Sequence, residues 1–269
     1  MHKKRFLIGM CSWNNFPLLE KCINSLLLAV DLSKDGIAVV LNEGDIDSIN
    51  FLLKLKIPFI CLPENRGVLA IDYLKPFIEN SEYFINSNDD MLFHEGFVED
   101  ILDIMQKNYP CSASCRLIEN FESGNYVVTV DTDLKNIYSQ ETFDLFIENV
   151  KAKKYIHPYK IIGWMHPICV KSDDYLKIGG YSGNWDMDFY NGYARDDMYA
   201  HELWKLHNFN FMHICSNKSF VFHASSATMK RLSPEIRANN NFDSFNKKTG
   251  MSIFEFREKV KFAYSLHEE

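Results

Sequence analysis

The chain has 269 residues, a mass of 31.4 kDa, a formal net charge of −7 and a pI near 5.7. That acidity argues against a broad nucleic-acid-binding face. A hydrophobic content of 46% excludes a disordered chain, and no run reaches the ~20 apolar residues that a membrane-spanning helix needs. The length suits one large α/β domain. Seven dispersed cysteines (11, 22, 61, 111, 115, 169 and 215) are expected as free thiols in a reducing compartment, and the pair 111/115 lacks the second Cys or His pair of a zinc site.

The basic start Lys3-Lys4-Arg5 and the apolar residues 6–11 look superficially like a signal peptide. The run is short and meets Trp13-Asn14-Asn15 with no small-residue cleavage site, so residues 6–10 are expected as a first buried strand. After a polar turn, Pro17 falls in the first turn of a helix with Leu18, Leu19, Cys22, Ile23, Leu26 and Leu27 at helical spacing. Residues 37–41 form a second strand ending in Asn42-Glu43-Gly44, followed by a helix over 46–54 and a third strand over 58–62. Then come Asn65-Arg66-Gly67, a helix over 68–79, a strand at 83–86 running into Asn88-Asp89-Asp90, and a helix over 96–108. This alternation predicts a parallel sheet with right-handed crossovers.

The second half is less regular. Residues 112–118 and 126–130 are expected as strands joined by a turn at 122–124, with a helix over 140–154. Strand-like residues 161–170 are interrupted by Gly163 and Pro167, and a short helix starts at Ser172 as N-cap and stops at Gly179-Gly180. Residues 181–193, rich in Gly, Asn and aromatics, suit an irregular binding loop. Asp196-Asp197 opens a helix striped by Tyr199, Leu203 and Leu206, and strands at 211–215 and 220–222 follow, the second delivering His223. Beyond 230 the tail is polar until Ser252 and Glu255 form a capping-box pattern.

The strand at 83–86 carries three apolar residues inward and delivers carboxylates to the C-terminal edge of the sheet, where open α/β sheets bind ligands. Adjacent Asp89 and Asp90 repel each other unless a cation is near, and a hard divalent ion bound to substrate phosphates is a natural partner. The alternative is a polar turn capping the helix that follows near Glu95.

With Asn88-Asp89-Asp90, Arg195-Asp196-Asp197 and His223 all at element ends, residues 5–230 resemble the inverting nucleotide-sugar glycosyltransferases of GT-A fold, the large polysaccharide-type family. The matching segments are the first strand and its loop 11–15, Asn42-Glu43 after the second strand, and Asn65-Arg66-Gly67. Asn88-Asp89-Asp90 stands at the Asp-x-Asp position, Gly179-Gly180-Tyr181 precedes the acidic pair, and 222–226 carries a late histidine. Two departures stand out: Asn88 replaces the first Asp, and Asp-Asp replaces the usual Glu-Asp.

The resemblance implies a doubly wound, mostly parallel α/β sheet with an irregular acceptor-side half and a C-terminal helical tail. It implies a GT-A domain over 1–230, with a nucleotide-binding half at 1–110 and an acceptor-binding half at 111–230, and a helical extension over 231–269. Ser12, Asn14, Asn42, Glu43, Asn65, Arg66, Asn88 and Asp89 would bind the donor, a nucleoside-diphosphate sugar and foremost a UDP-sugar. Asp90, with Asp89 and His223, would hold Mn²⁺ or Mg²⁺, which stabilises the leaving diphosphate as a Lewis acid. Asp197 would be the base that deprotonates the acceptor hydroxyl, with Asp196 close behind. Trp164, Tyr181 and Trp185, together with Tyr190, would face a glycan acceptor.

Each feature has a plainer alternative. The Asp196-Asp197 pair could cap its helix, His223 could be an ordinary strand-end histidine, and the aromatics could be core. Lys247, Lys248, Arg257, Lys259 and Lys261 are expected as a solvated face, with weak membrane-surface or homo-oligomer contact through the last helix as the minority reading. A nucleotidylyltransferase would need a Gly-rich basic loop after the first strand, which Cys11-Ser12-Trp13-Asn14-Asn15 is not. A non-catalytic nucleotide- or glycan-binding protein of this fold is the third reading, weakened by the presence of Asp196-Asp197. The expected location is the cytoplasm.

Overall fold

A computed structural model describes residues 3–119, 127–129, 166–183, 194–224 and 242–264. The first half alternates as expected: β1 (Lys4–Trp13), α1 (Phe16–Ala29), β2 (Gly36–Asn42), α2 (Ile46–Leu55) and β3 (Phe59–Leu62). A 3₁₀ helix (Gly67–Leu74), α3 (Lys75–Ile78), β4 (Ser81–Asn88), β5 (Met91–Phe93) and α4 (Phe97–Asn108) follow. Then come β6 (Cys111–Glu119), β7 (Val127–Thr129), β8 (Ile168–Lys171), α5 (Ser172–Lys177) and α6 (Ala194–Leu206). The chain closes with β9 (Met212–His223), α7 (Phe242–Thr249), α8 (Ile253–Lys259) and β10 (Lys261–Tyr264).

Among the described residues the sheet runs β10-β9-β6-β8-β4-β1-β2-β3, with β5 beside β9 and β7 beside β6. Strands β3, β2, β1 and β4 are parallel, β8 is antiparallel to both β4 and β6, and β6, β9 and β10 are again parallel. Apolar side chains fill both faces. Ile8, Met10 and Ile85 pack under α1 and α4, while Val40, Phe84 and Val170 pack with Leu74, Tyr175 and Phe256. Gly9 permits a close approach here, since a Cβ would stand 2.7 Å from Leu74 and 2.8 Å from Phe84. His213 is buried, with Ser112 Oγ 2.9 Å from Nδ1 and Ser114 Oγ 3.0 Å from Nε2; burial pushes its pKa down to about 3.

Several expectations are corrected. The helix over 68–79 is a 3₁₀ helix and one α-turn, because Pro76 has no N–H to give the Asp72 carbonyl, which takes the Lys75 N–H instead. Segments 211–215 and 220–222 are one strand, β9, with a local irregularity. There, Ser216 Oγ accepts from the backbone of Lys218 and Ser219 at 3.0 Å each. β7 runs parallel to β6. Lys171, not Ser172, is the N-cap of α5; the Ser172 hydroxyl lies 2.9 Å from Ser81 Oγ in the core. The helix at 140–154 lies outside the described residues.

The described part of the tail, residues 242–264, packs on the sheet. Beside the expected Ser252–Glu255 capping box it supplies a strand, β10, in register with β9, and buries Phe245, Ile253, Phe256 and Val260 in the same core as Leu203 and Trp204. Its polar composition hid an amphipathic pattern too short to register as periodic.

Candidate active site

The registers Cys11↔Asn88, Trp13↔Asn42 and Asn42↔Leu62 align the C-terminal ends of β4, β1, β2 and β3, so their loops share one edge. On that edge Asp89 and Asp90 point to different partners. Asp89, 5% exposed, accepts through Oδ2 from Ser12 Oγ at 2.6 Å and from Asn15 Nδ2 at 3.0 Å. These bonds tie the end of β1 and the β1–α1 loop to the end of β4.

Asp90 is held differently. Its neighbours form β5, whose register with β9 sets Met91 opposite His223, and Ala224 N donates to the Asp90 carbonyl at 2.9 Å. His223 Nε2 therefore stands 3.3 Å from Asp90 Oδ1 and 3.5 Å from Asn88 Nδ2. The first contact lies within ion-pair distance but lacks hydrogen-bond geometry, so Asp90 Oδ1 is a buried oxygen with no hydrogen bond. An orphaned carboxylate oxygen beside an imidazole is what a cation would satisfy. Among the described residues no three His, Cys, Asp or Glu side chains converge as a closed metal cage. Two protein ligands still fit Mg²⁺ or Mn²⁺, which binds through one or two carboxylates plus substrate phosphates and water.

The other donor-site expectations divide. Asn42 is buried and spends its side chain on the chain itself, accepting from Arg66 N at 3.0 Å and donating to the Gly67 carbonyl at 3.2 Å. Asn65 Oδ1 accepts from Gly67 N at 2.8 Å, and the Arg66 guanidinium pairs with Glu64. Asn42 and Asn65 thus shape the turn after β3. Glu43, exposed at the edge, takes the Trp13 indole N–H at 2.9 Å. Asn14 is exposed with a left-handed φ of 47°, and Asn15, not Asn14, reaches Asp89.

The second acidic pair sits in the first turn of α6. Asp197, expected as the base, is 1% exposed and clamped by Arg257, with Nε to Oδ1 and Nη2 to Oδ2 at 2.7 Å each. Burial raises its pKa above the ordinary value, with Arg257 opposing. The same contact corrects the expectation that Arg257 lies on a solvated face. Asp196 is the open member, its side chain 36% exposed. Its Oδ1 accepts from the Tyr181 hydroxyl and faces His166 Nε2 at 3.8 Å. The Tyr181 ring is 2% exposed and packs 5.2 Å from Tyr199, so Tyr181 acts through its hydroxyl and presents no face for stacking on a sugar. Trp164, Trp185 and Tyr190 lie outside the described residues.

Sequence reasoning missed the anchor of this region. Asp72, in the 3₁₀ helix, accepts from Tyr175 Oη at 2.5 Å, from the backbone N–H groups of Tyr181 and Ser182 at 2.8 Å each, and from the Ser182 hydroxyl. Lys75 Nζ donates to the Gly179 carbonyl at 2.6 Å. Gly180, at φ 83°, is required there: a Cβ would fall 2.3 Å from Asp72. The Gly179-Gly180-Tyr181 segment is therefore a bracket that aims Tyr181 at Asp196. The unsuspected partners Asp72 and His166 stand 109 and 15 residues from Tyr181, as 72, 166 and 181 in the chain, and no local spacing marks them.

No family model matches the sequence, and no curated protein matches it. Solved structures do. GalNAc-T7, crystallised with UDP, GalNAc and Mn²⁺, superposes with a TM-score of 0.63 at 8% identity over 95% of this chain. Staphylococcus aureus TarS matches over 82% of this chain at 10% identity, with TM-scores of 0.51 for its 1–349 fragment and 0.54 for a longer chain. The fold is that of the GT-A glycosyltransferases. The chain spans half the length of the GalNAc-T7 chain and 61% and 37% of the two TarS chains. His166 links the two acidic regions: Nδ1 lies 3.1 Å from the Asn86 carbonyl oxygen of β4 and Nε2 lies 3.8 Å from Asp196 Oδ1. His223 is near enough to lower the proton affinity of His166, which also touches β4 and Asp196.

Proposed function

We propose that this protein is a metal-dependent, inverting glycosyltransferase that moves a sugar from a nucleoside-diphosphate donor, foremost a UDP-sugar, to a hydroxyl of a glycan acceptor. The observation that carries the reading is the buried, hydrogen-bond-free Asp90 Oδ1 beside His223 at the binding edge of a GT-A sheet. Asp90 and His223 would hold Mn²⁺ or Mg²⁺, which supplies Lewis-acid stabilisation of the leaving diphosphate. Ser12, Asn15 and Asp89 fix the loop under the donor; Trp13, Glu43 and Asn88 face the nucleotide. Asp196, held through Oδ1 by Tyr181, is the base in preference to Asp197, both of whose oxygens are occupied by Arg257. The acceptor O–H bond breaks as oxygen bonds the anomeric carbon, whose bond to the diphosphate breaks with its electron pair on the diphosphate. Polysaccharide assembly in a reducing, cytoplasmic setting completes the proposal, supported by seven free thiols.

Thermal melting with UDP, with and without Mn²⁺, tests the donor site. A ligand at 100 times its Kd stabilises by about 2.7 kcal/mol. The expected result is a UDP-dependent rise in Tm that requires Mn²⁺ and disappears in Asp90→Asn. An equal rise in that variant contradicts the assignment.

A further inference from the structure

His166 has no role in the scheme above, yet both its nitrogens are engaged. It lies just before β8, and the antiparallel register of Asn86 with Ile168 sets its ring against β4. Nδ1 is 3.1 Å from the Asn86 carbonyl oxygen. A carbonyl only accepts, so Nδ1 carries a hydrogen, and in the neutral ring the lone pair is on Nε2. That nitrogen faces Asp196 Oδ1 at 3.8 Å. A bare nitrogen and a carboxylate oxygen repel at this separation; a proton on Nε2 turns repulsion into ion-pair attraction. Tyr181 donates to the same oxygen, so among the described residues Asp196 Oδ2 is left open for an acceptor hydroxyl.

Among the described residues, the groups facing the ring are Asp196 from α6, Tyr181 from the turn after α5, the Asn86 carbonyl from β4 and, at longer range, His223 from β9. Burial is the largest influence and lowers its proton affinity, as does His223; Asp196 and the Asn86 carbonyl outweigh both and raise it.

Resting on Asp196 as base, we infer that His166 is the second proton holder of the acceptor site, receiving on Nε2 the proton that Asp196 takes from the acceptor hydroxyl. The proton leaves the acceptor oxygen for Asp196 Oδ2; rotation of the carboxyl turns it toward His166, and it comes to rest on Nε2 with the carboxylate restored opposite. It passes to solvent once the product leaves. His166 acts through Asp196 and touches no substrate, so it is a positioning residue.

Two measurements on the full chain test this. Side-chain ¹⁵N NMR reads the tautomer without substrate: the expected neutral form is Nδ1–H with Nε2 as the titrating nitrogen, and a neutral Nε2–H form overturns the inference. The second compares His166→Asn, whose amide keeps the bond to the Asn86 carbonyl, with His166→Gln, whose amide reaches toward Asp196. Neither takes up a proton, so kcat is expected to fall by about 10²-fold in both. Donor KM and, for His166→Asn, Tm should stay unchanged. Wild-type kcat in a folded His166→Asn contradicts the inference; if that variant does not fold, His166→Gln is judged by the same criterion. Asp196→Asn separates the layers. Full activity there removes the base assignment and His166 with it, whereas an inactive Asp196→Asn beside an active His166→Asn removes the inference alone.

Discussion

At the β4 edge, Asp89 is tied down and Asp90 is open; at the start of α6, Asp197 is tied down and Asp196 is open. The two regions reach this division by different means. Asp89 is held by neutral donors, Ser12 at the end of the adjacent strand β1 and Asn15 in the loop after it. Asp197 is held by a guanidinium 60 residues further along the chain. A carboxylate braced by neighbours in one sheet needs little beyond the strands themselves. One braced by a distant arginine requires the tail to fold onto α6, which ties the C-terminal segment to the turn that bears Asp196.

The comparison can be broken most decisively at the open residues. Asp196→Asn removes the proposed proton acceptor and is expected to lower turnover by ~10²–10⁴-fold, with donor KM and Tm unchanged. Next comes the charged clamp. Arg257→Met leaves Asp197 buried and unpaired, and breaking such a pair costs about 3–5 kcal/mol, read in denaturant melts. Arg257→Met combined with Asp197→Leu should recover most of that stability, because a buried ion pair and an apolar pair of similar volume are often equivalent. The neutral clamp gives the smallest change: Asp89→Asn weakens two charge-assisted bonds and should cost about 1.5–3 kcal/mol. A larger loss from Asp89→Asn than from Arg257→Met would reverse the ranking of the two regions.

Much of the first region was legible in the sequence. Alternating apolar runs and helical spacings placed β1 to β4 and their crossovers, and paired acids after an apolar run located the edge. The identity of the open carboxylate was half legible. Asp90 followed from its position, but β5, whose three residues set it against His223, is too short to carry a period-2 signal. In the second region the acidic pair was visible and its division was not, since Arg257 and Tyr181 choose between the two carboxylates through tertiary contacts. Asp72 was hidden for the same reason: it sits in a 3₁₀ helix that reads as an ordinary amphipathic turn, while its bonds go to residues 175, 181 and 182.

The claim that one carboxylate of each pair braces and the other works is tested most directly by measuring Tm and turnover side by side in Asp89→Asn, Asp90→Asn, Asp196→Asn and Asp197→Asn. Turnover is read per folded molecule with a UDP-sugar and Mn²⁺. The account predicts that Asp90→Asn and Asp196→Asn keep the wild-type Tm and lose turnover, while Asp89→Asn and Asp197→Asn lose stability and retain most of their turnover when folded. An Asp197→Asn protein that melts like wild type but does not turn over, beside an active Asp196→Asn, would contradict it.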